Sequence, residues 1–148
     1  WLRITGRFHR FGYAAVSFGQ PVRLSDVVTG QATPEDVSTL VMKRIAEAVP
    51  VLPVPLVAAL LLDRGTIETE ALQREFVETL DRLHGAQVHV PRNDKAYAFA
   101  TGLRTLIERG VAEDRLGQIS LCSEKHELAA FYANSIRHLL PRNSATAK

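Results

Sequence analysis

The stretch from Val49 to Leu62 limits the possible folds of this chain more than any other part of it. It contains no charged residue, and prolines interrupt its first half. A helix that spans a bilayer needs about 20 consecutive apolar residues, so this stretch is too short to be one. We therefore expect a short helix from Pro55 to Arg64 that is apolar on nearly all sides and buried, with Gly65 ending it.

The composition indicates a chain that can build a core around this helix. It has 148 residues, of which 46% are hydrophobic and 23% charged, as in a globular domain or a fragment of a larger one. The net charge of +2 does not indicate a nucleic-acid partner. Cys122 is the single cysteine, which excludes an internal disulfide.

Capping residues and helical spacing predict four further helices. The first begins with Thr33 as its cap and Pro34 at its first position, and carries an apolar stripe. The next two cover about Glu68–Leu83 and Lys95–Arg109, and the last follows a cap at Ser123. The stripe of the first helix consists of Val37, Leu40, Val41, Ile45 and Val49.

These helices are expected to share one self-sufficient core. The last helix is expected to bury Leu128, Phe131, Tyr132, Ile136 and Leu139. The side chains that we expect to meet in the core are Leu60, Leu72, Phe76, Leu103, Ile107, Leu128, Tyr132 and Ile136.

Two short strands are predicted, at residues 12–18 and 117–122, so the fold class is mostly α with a few short strands (α+β). From residue 53 to 122 the order is helix, helix, helix and strand, as in a winged helix. A winged helix that reads DNA needs a basic third helix. The expected third helix has only Lys95, Arg104 and Arg109 as cations, with Glu108 among them, so we do not expect nucleic-acid binding.

Two residue pairs could carry chemistry. His89 and Asp94 have H-x4-D spacing, in which a carboxylate orients an imidazole that acts as a general base. They lie in an expected connector, residues 85–94, and no phosphate-binding block follows them, so we interpret the pair as a coincidence. Cys122 and His126 could be a nucleophile and base or two metal ligands. A metal site needs three or four ligands, and we interpret Cys122 as a small core residue.

We therefore assign no catalytic, cofactor-binding or metal-binding residue and expect no cofactor. The run from Trp1 to Phe11 interleaves basic and aromatic residues. Such a run can rest on anionic lipid, or it can be a solvated lead-in to the first strand. Both interpretations remain open from the residues alone.

Several blocks of the chain resemble the glycerol-3-phosphate acyltransferase family. Gly12-Tyr-Ala-Ala-Val-Ser-Phe-Gly-Gln-Pro-Val-Arg-Leu24 resembles the strand and turn that follow the last catalytic block of that family. Gln20 stands where bacterial members usually have Glu, which leaves the role of that position open. Residues 56–72, Gly117–Leu121 and Tyr132-Ala-Asn-Ser-Ile-Arg-His-Leu139 resemble later segments, so the resemblance covers about residues 9–140.

This resemblance implies a parent protein that transfers an acyl group from acyl-ACP (acyl carrier protein) or acyl-CoA to the 1-hydroxyl of glycerol 3-phosphate. Such an enzyme acts in phospholipid biosynthesis, as a peripheral protein at the cytoplasmic face of the inner (plasma) membrane. The H-x4-D and phosphate-binding blocks of the family would precede this chain. His89 and Asp94 would then not take those roles, and the chain alone would be inactive.

The resemblance also implies a division of the chain. Residues 1–30 would be the terminal strand and turn of an α/β catalytic domain. Residues 31–148 would be a helical, winged-helix-like module with a polar tail. The alternative is a winged-helix-like regulatory or protein-interaction module without enzymatic activity. A basic face on the helix at 95–109, together with no uncovered apolar surface, would favour that alternative.

Overall fold

The described part of the computed structural model comprises residues 16–23, 25, 33–83 and 87–140. Helices predominate in it, and the strands are short. The helices and strands are α1 (Pro34–Ala48), α2 (Pro53–Arg64), β1 (Ile67–Glu68), α3 (Thr69–Arg82), α4 (Lys95–Glu108), β2 (Ala112–Arg115), β3 (Gln118–Leu121) and α5 (His126–Asn134). The predicted α+β class is confirmed.

The strands form one antiparallel sheet in the order β1-β3-β2. Ile67 of β1 pairs with Ile119 of β3, and β3 forms a hairpin with β2. The hairpin turns at Leu116 and Gly117, whose φ angles are 54° and 83°. Along the chain, the elements follow the order helix, short strand, two helices and hairpin. Together with the strand order β1-β3-β2, this is the arrangement of a winged helix. The sequence did not predict β2, because Ala112-Glu-Asp-Arg115 is polar and has no strand pattern of its own.

Helix α2 lies at the centre of the core, as its composition predicts. It packs against α3, α4 and α5, and Leu56, Val57 and Leu61 have no exposed surface. Its first residue is Pro53 rather than the predicted Pro55, so the helix begins two residues earlier and again with a proline, which suits the first position. It ends at Gly65, whose φ of +74° is readily adopted only by glycine.

Helix α4 approaches the start of α2 very closely at Gly102. A Cβ atom on Gly102 would lie 3.0 Å from the carbonyl carbon and oxygen of Pro53. Phe99 from the same helix packs its ring against that of Phe76 on α3, with 5.6 Å between the ring centroids. The core therefore combines one close backbone contact with a pair of large aromatic side chains.

Most of the predicted core is present, but the predicted burial of Ile107 is wrong. Leu72, Phe76, Leu103 and Ile136 are buried, and Leu60, Leu128 and Tyr132 are half-buried against them. Ile107 is 37% exposed. Helix α4 buries a face centred on Gly102, and Ile107 lies beyond the edge of that face, although its spacing from Leu103 suits a helical stripe.

The prediction for the last helix is also partly wrong. Ser123 begins a 3-10 turn and does not cap the helix, which begins at His126. Phe131 is 72% exposed, because α5 packs through its small residues Ala129 and Ala133. Small side chains allow the backbones of two helices to approach closely, so the large residue beside them is left on the outside.

Several predictions fall outside the described residues. Of the strand predicted at 12–18, only residues 16–18 are described, and none of the three is in a strand. The run from Trp1 to Phe11, the division between residues 30 and 31 and the polar tail from residue 142 lie outside the described ranges. The division into a catalytic end and a helical module stays a prediction.

Candidate functional site

Helix α1 begins with a fully formed capping box, as Thr33 and Pro34 predict. The backbone N–H of Asp36 donates to the Thr33 hydroxyl oxygen at 3.3 Å. In return, the backbone N–H and the hydroxyl of Thr33 donate to one Asp36 carboxylate oxygen, at 2.9 and 2.8 Å. These bonds, chiefly the one from the Thr33 backbone, hold the pKa of Asp36 below its ordinary value of 3.8.

The apolar stripe of α1 is present, and the described residues cover it only in part. Val37, Leu40 and Val49 are half-buried, and Val49 packs against the core. Val41 and Ile45 are 39% and 54% exposed, and Met42 beside them is 62% exposed. An amphipathic helix in a globular protein ordinarily places such a stripe against a core. Among the described residues, none buries the part of the stripe formed by Val41 and Ile45.

A turn that contains the Phe-Gly-Gln-Pro block lies against the last turns of α1. A Cβ atom on Gly19 would be 3.3 Å from the carbonyl oxygen of Arg44 and 3.5 Å from the Cβ of Ala48. The helix and the turn enclose an open groove of about 430 Å³. Its lining includes Gln20, Val22, Val41, Arg44, Ile45 and Val49.

Exposed apolar side chains concentrate in this part of the described chain. Nine large apolar residues are exposed in the described ranges, and six of them belong to the turn or to α1. Those six, which we call the apolar surface, are Val16, Phe18, Val22, Val41, Met42 and Ile45. Of these six, Val22, Val41 and Ile45 line the same groove, and contiguous exposed apolar surface is typical of interaction sites.

The last block that resembles the family, residues 132–139, also contacts α1. We call it the closing block. In the 3-10 turn Arg137–Leu139, the His138 Nε2 atom lies 2.9 Å from the carbonyl oxygen of Ala46 in α1. Arg137 forms a 3.0 Å ion pair with Asp63 at the end of α2. No local pattern in the sequence indicates a role for these two basic residues.

The His89–Asp94 pair lies in a connector where Asp94 has a structural contact. Its carboxylate accepts a hydrogen bond of 3.0 Å from the backbone N–H of Tyr97 and so caps α4. The backbone N–H of His89 donates to the carbonyl of Val51 at 3.0 Å. Between them, Arg92 places its guanidinium 4.1 Å from the centroid of the Tyr97 ring.

Cys122 and His126 are separated by the 3-10 turn Ser123–Lys125. Cys122 is half-buried, and its backbone N–H donates to the carbonyl of Val111 at 2.9 Å. His126 is exposed at the start of α5. Within the described ranges, no cluster of three or more His, Cys, Asp or Glu side chains is arranged to hold a metal ion.

Helix α4 occupies the position that reads DNA in a nucleic-acid-binding winged helix, but its outer face is not basic. Thr69 and Gln73 of α3 line a shallow groove of about 500 Å³ together with residues of α4. The exposed residues of α4 are Ala96, Ala100, Arg104, Ile107 and Glu108, with Arg104 the one cation among them. Such a face lacks the cations that bind phosphates.

The family model of the glycerol-3-phosphate acyltransferase C-terminal region matches residues 2–148. This chain belongs to that family. The resemblance seen in the sequence is therefore confirmed. No curated protein and no solved structure matches the chain.

Two of the blocks that resemble this acyltransferase family contact the same helix. The Phe-Gly-Gln-Pro turn and the closing block with His138 lie far apart in the sequence, yet both contact the last turns of α1. Among the helices in the described ranges, none is long and apolar enough to cross a membrane.

Proposed function

We propose that this chain is the carboxy-terminal part of an enzyme that transfers an acyl group to the 1-hydroxyl of glycerol 3-phosphate in phospholipid biosynthesis. The acyl donor is acyl-ACP or acyl-CoA. The observation that carries the proposal is the family match over residues 2–148. The exposed apolar surface on α1 and the turn also supports the proposal. When one part of a larger enzyme is viewed alone, the face that packs against the rest of the enzyme is exposed.

In this proposal the chain supplies a docking module and not the reacting groups. The apolar surface faces the catalytic part of the enzyme, and the core around α2 holds that surface in place. Asp94 caps α4 through its Oδ1 atom, a structural role that requires no partner imidazole. Cys122 and His126 take no part in the reaction.

The first prediction is that the isolated chain does not transfer acyl groups. Purified chain would be incubated with glycerol 3-phosphate and either acyl-CoA or acyl-ACP, and 1-acylglycerol 3-phosphate would be measured. We expect no product above the rate without protein. His89→Ala and Asp94→Ala variants serve as controls. Turnover by the chain that both substitutions abolish would show that the H-x4-D is catalytic, and the proposal would be wrong.

We further propose that the parent enzyme binds peripherally to the cytoplasmic face of the inner (plasma) membrane. The run from Trp1 to Phe11 supports this, because cations bind anionic headgroups and aromatic rings prefer the interface. The second prediction is that the chain sediments with phosphatidylglycerol vesicles and not with phosphatidylcholine vesicles. Binding should weaken in salt and on replacing Arg3, Arg7 and Arg10 by Ala. Equal binding by wild type and this triple variant would contradict the proposed role of the run.

A regulatory or protein-interaction module is the second candidate function. The winged-helix arrangement of α2 to β3 favours it. The exposed face of α4 carries Arg104 and Glu108 among apolar residues, so such a module would bind protein rather than nucleic acid. The family match over residues 2–148 favours the acyltransferase proposal, whereas an exposed apolar surface is expected for either function.

A further inference from the structure

His138 makes a side-chain contact with a helix that is remote in the sequence. Its Nε2 atom lies 2.9 Å from the carbonyl oxygen of Ala46. A carbonyl oxygen only accepts hydrogen bonds, so Nε2 carries the proton and donates it to Ala46. The Ala46 carbonyl, in the last turn of α1, also accepts a hydrogen bond of 3.3 Å from the backbone N–H of Val49. A carbonyl oxygen has two lone pairs, so the imidazole adds a second, shorter hydrogen bond from outside the helix.

The backbone around His138 is held firmly on the core. Ile136, two residues earlier, is fully buried, and Leu139 packs against the core from the following position. Arg137 pairs with Asp63 at 3.0 Å, which ties the 3-10 turn to the end of α2. The backbone that carries the imidazole is therefore fixed to the core.

Helix α1, in contrast, has no fully buried side chain of its own, and only the residue after it, Val49, packs against the core. It carries the Phe-Gly-Gln-Pro turn on the same stretch that His138 contacts. Gly19 lies against Arg44 and Ala48, and Ala46 lies between these two positions. A hydrogen bond at Ala46 thus restrains α1 where the turn packs against it.

We propose that His138 is a positioning residue that fixes α1 and the Phe-Gly-Gln-Pro turn relative to the helical core. This inference rests on the proposed function, in which the turn directly follows the catalytic part. The hydrogen bond from His138 then sets the orientation of the catalytic part relative to the helical core. His138 acts through α1 and does not touch substrate.

The test compares His138→Leu, which removes the donor, with His138→Gln, which keeps an N–H at a similar distance from the backbone. His126→Leu is the matched control, since His126 is an exposed histidine at the start of α5. In the purified chain, amide hydrogen exchange of residues 43–48 should quicken about 2- to 10-fold in His138→Leu, the effect of one hydrogen bond. Exchange in α2 should not change, and His138→Gln should restore the slower rate in α1.

The same variants are then assayed in the intact enzyme. His138→Leu should lower kcat with little change in the KM for glycerol 3-phosphate, and His138→Gln should recover most of the loss. Unchanged exchange in α1, or an unchanged kcat despite faster exchange, would each overturn the inference. If the wild-type enzyme does not acylate glycerol 3-phosphate, the proposed function fails. The exchange experiment then still decides whether His138 fixes α1.

Discussion

At the scale of single residues, Phe76 and Phe131 allow a comparison between a buried and an exposed phenylalanine. Phe76 is 1% exposed and contacts the Phe99 ring, whereas Phe131 is 72% exposed and contacts Tyr132 edge-on. The difference follows from the helices that carry them. Helix α3 turns its large side chains inward, and α5 turns Ala129 and Ala133 inward.

The third prediction is that the same substitution has very different costs at these two positions. Phe76→Ala should lower the free energy of unfolding by about 3–5 kcal/mol, because it removes buried apolar surface and leaves a cavity. Phe131→Ala should cost about 1 kcal/mol or less, since it loses little more than one aromatic contact. Urea unfolding of the two variants measures both values. Equal costs would mean that the core around α2 is not packed as described.

At the scale of elements, α1 differs from the other described helices because its stability depends on its ends. Helices α2 to α5 each bury side chains in the core, and α1 buries none. Contacts near its two ends hold it among the described residues: the capping box at Thr33, and at the other end the packing of Gly19 against Arg44 and Ala48 and the contact of Ala46 with His138. A short helix without tertiary packing is only marginally stable in water.

The fourth prediction concerns the pH dependence of this cap. The hydrogen bonds from Thr33 favour the ionised form of Asp36 and lower its pKa in the folded chain. The stabilisation of α1 is therefore fully present above the ordinary value of 3.8 and is lost as the pH falls through the lowered folded pKa. NMR titration of the Asp36 carboxyl and of the α1 amides should show both changes together.

The control for this titration is Asp36→Asn, which has no titrating group at the cap. Its α1 amide signals should not respond to pH in the range where the wild-type signals change. A pKa of Asp36 at or above 3.8 in the wild-type chain would contradict the capping box.

At the scale of the whole molecule, the sequence predicts the helices better than it predicts what covers them. Caps and terminators such as Thr33, Pro34 and Gly65 act within a few residues, so they are visible in the sequence and they gave correct helix ends. Strand β2 was missed because its polar residues form a strand only when β3 pairs with them. Burial of Ile107 and Phe131 was predicted wrongly because it depends on which face of a helix its neighbours occupy.

The apolar surface shows the same limit for the candidate site. The stripe on α1 is evident from its spacing, but only the fold shows that Val41 and Ile45 stay exposed in the described chain. His138 belongs to a block that resembles the family, yet its contact with Ala46 spans most of the module. A local pattern does not identify such a partner.

The central claim is that the apolar surface docks the module onto the catalytic part of an acyltransferase. The most direct test is the rate of acyl transfer to glycerol 3-phosphate by the intact enzyme carrying Ile45→Lys, compared with Thr39→Lys. Both add one lysine to an exposed position of α1, but Ile45 belongs to the apolar stripe and Thr39 does not. We predict that Ile45→Lys lowers kcat/KM about tenfold or more, because docking would bury an unpaired charge. Thr39→Lys should retain wild-type activity. Equal activity of the two variants would contradict the account.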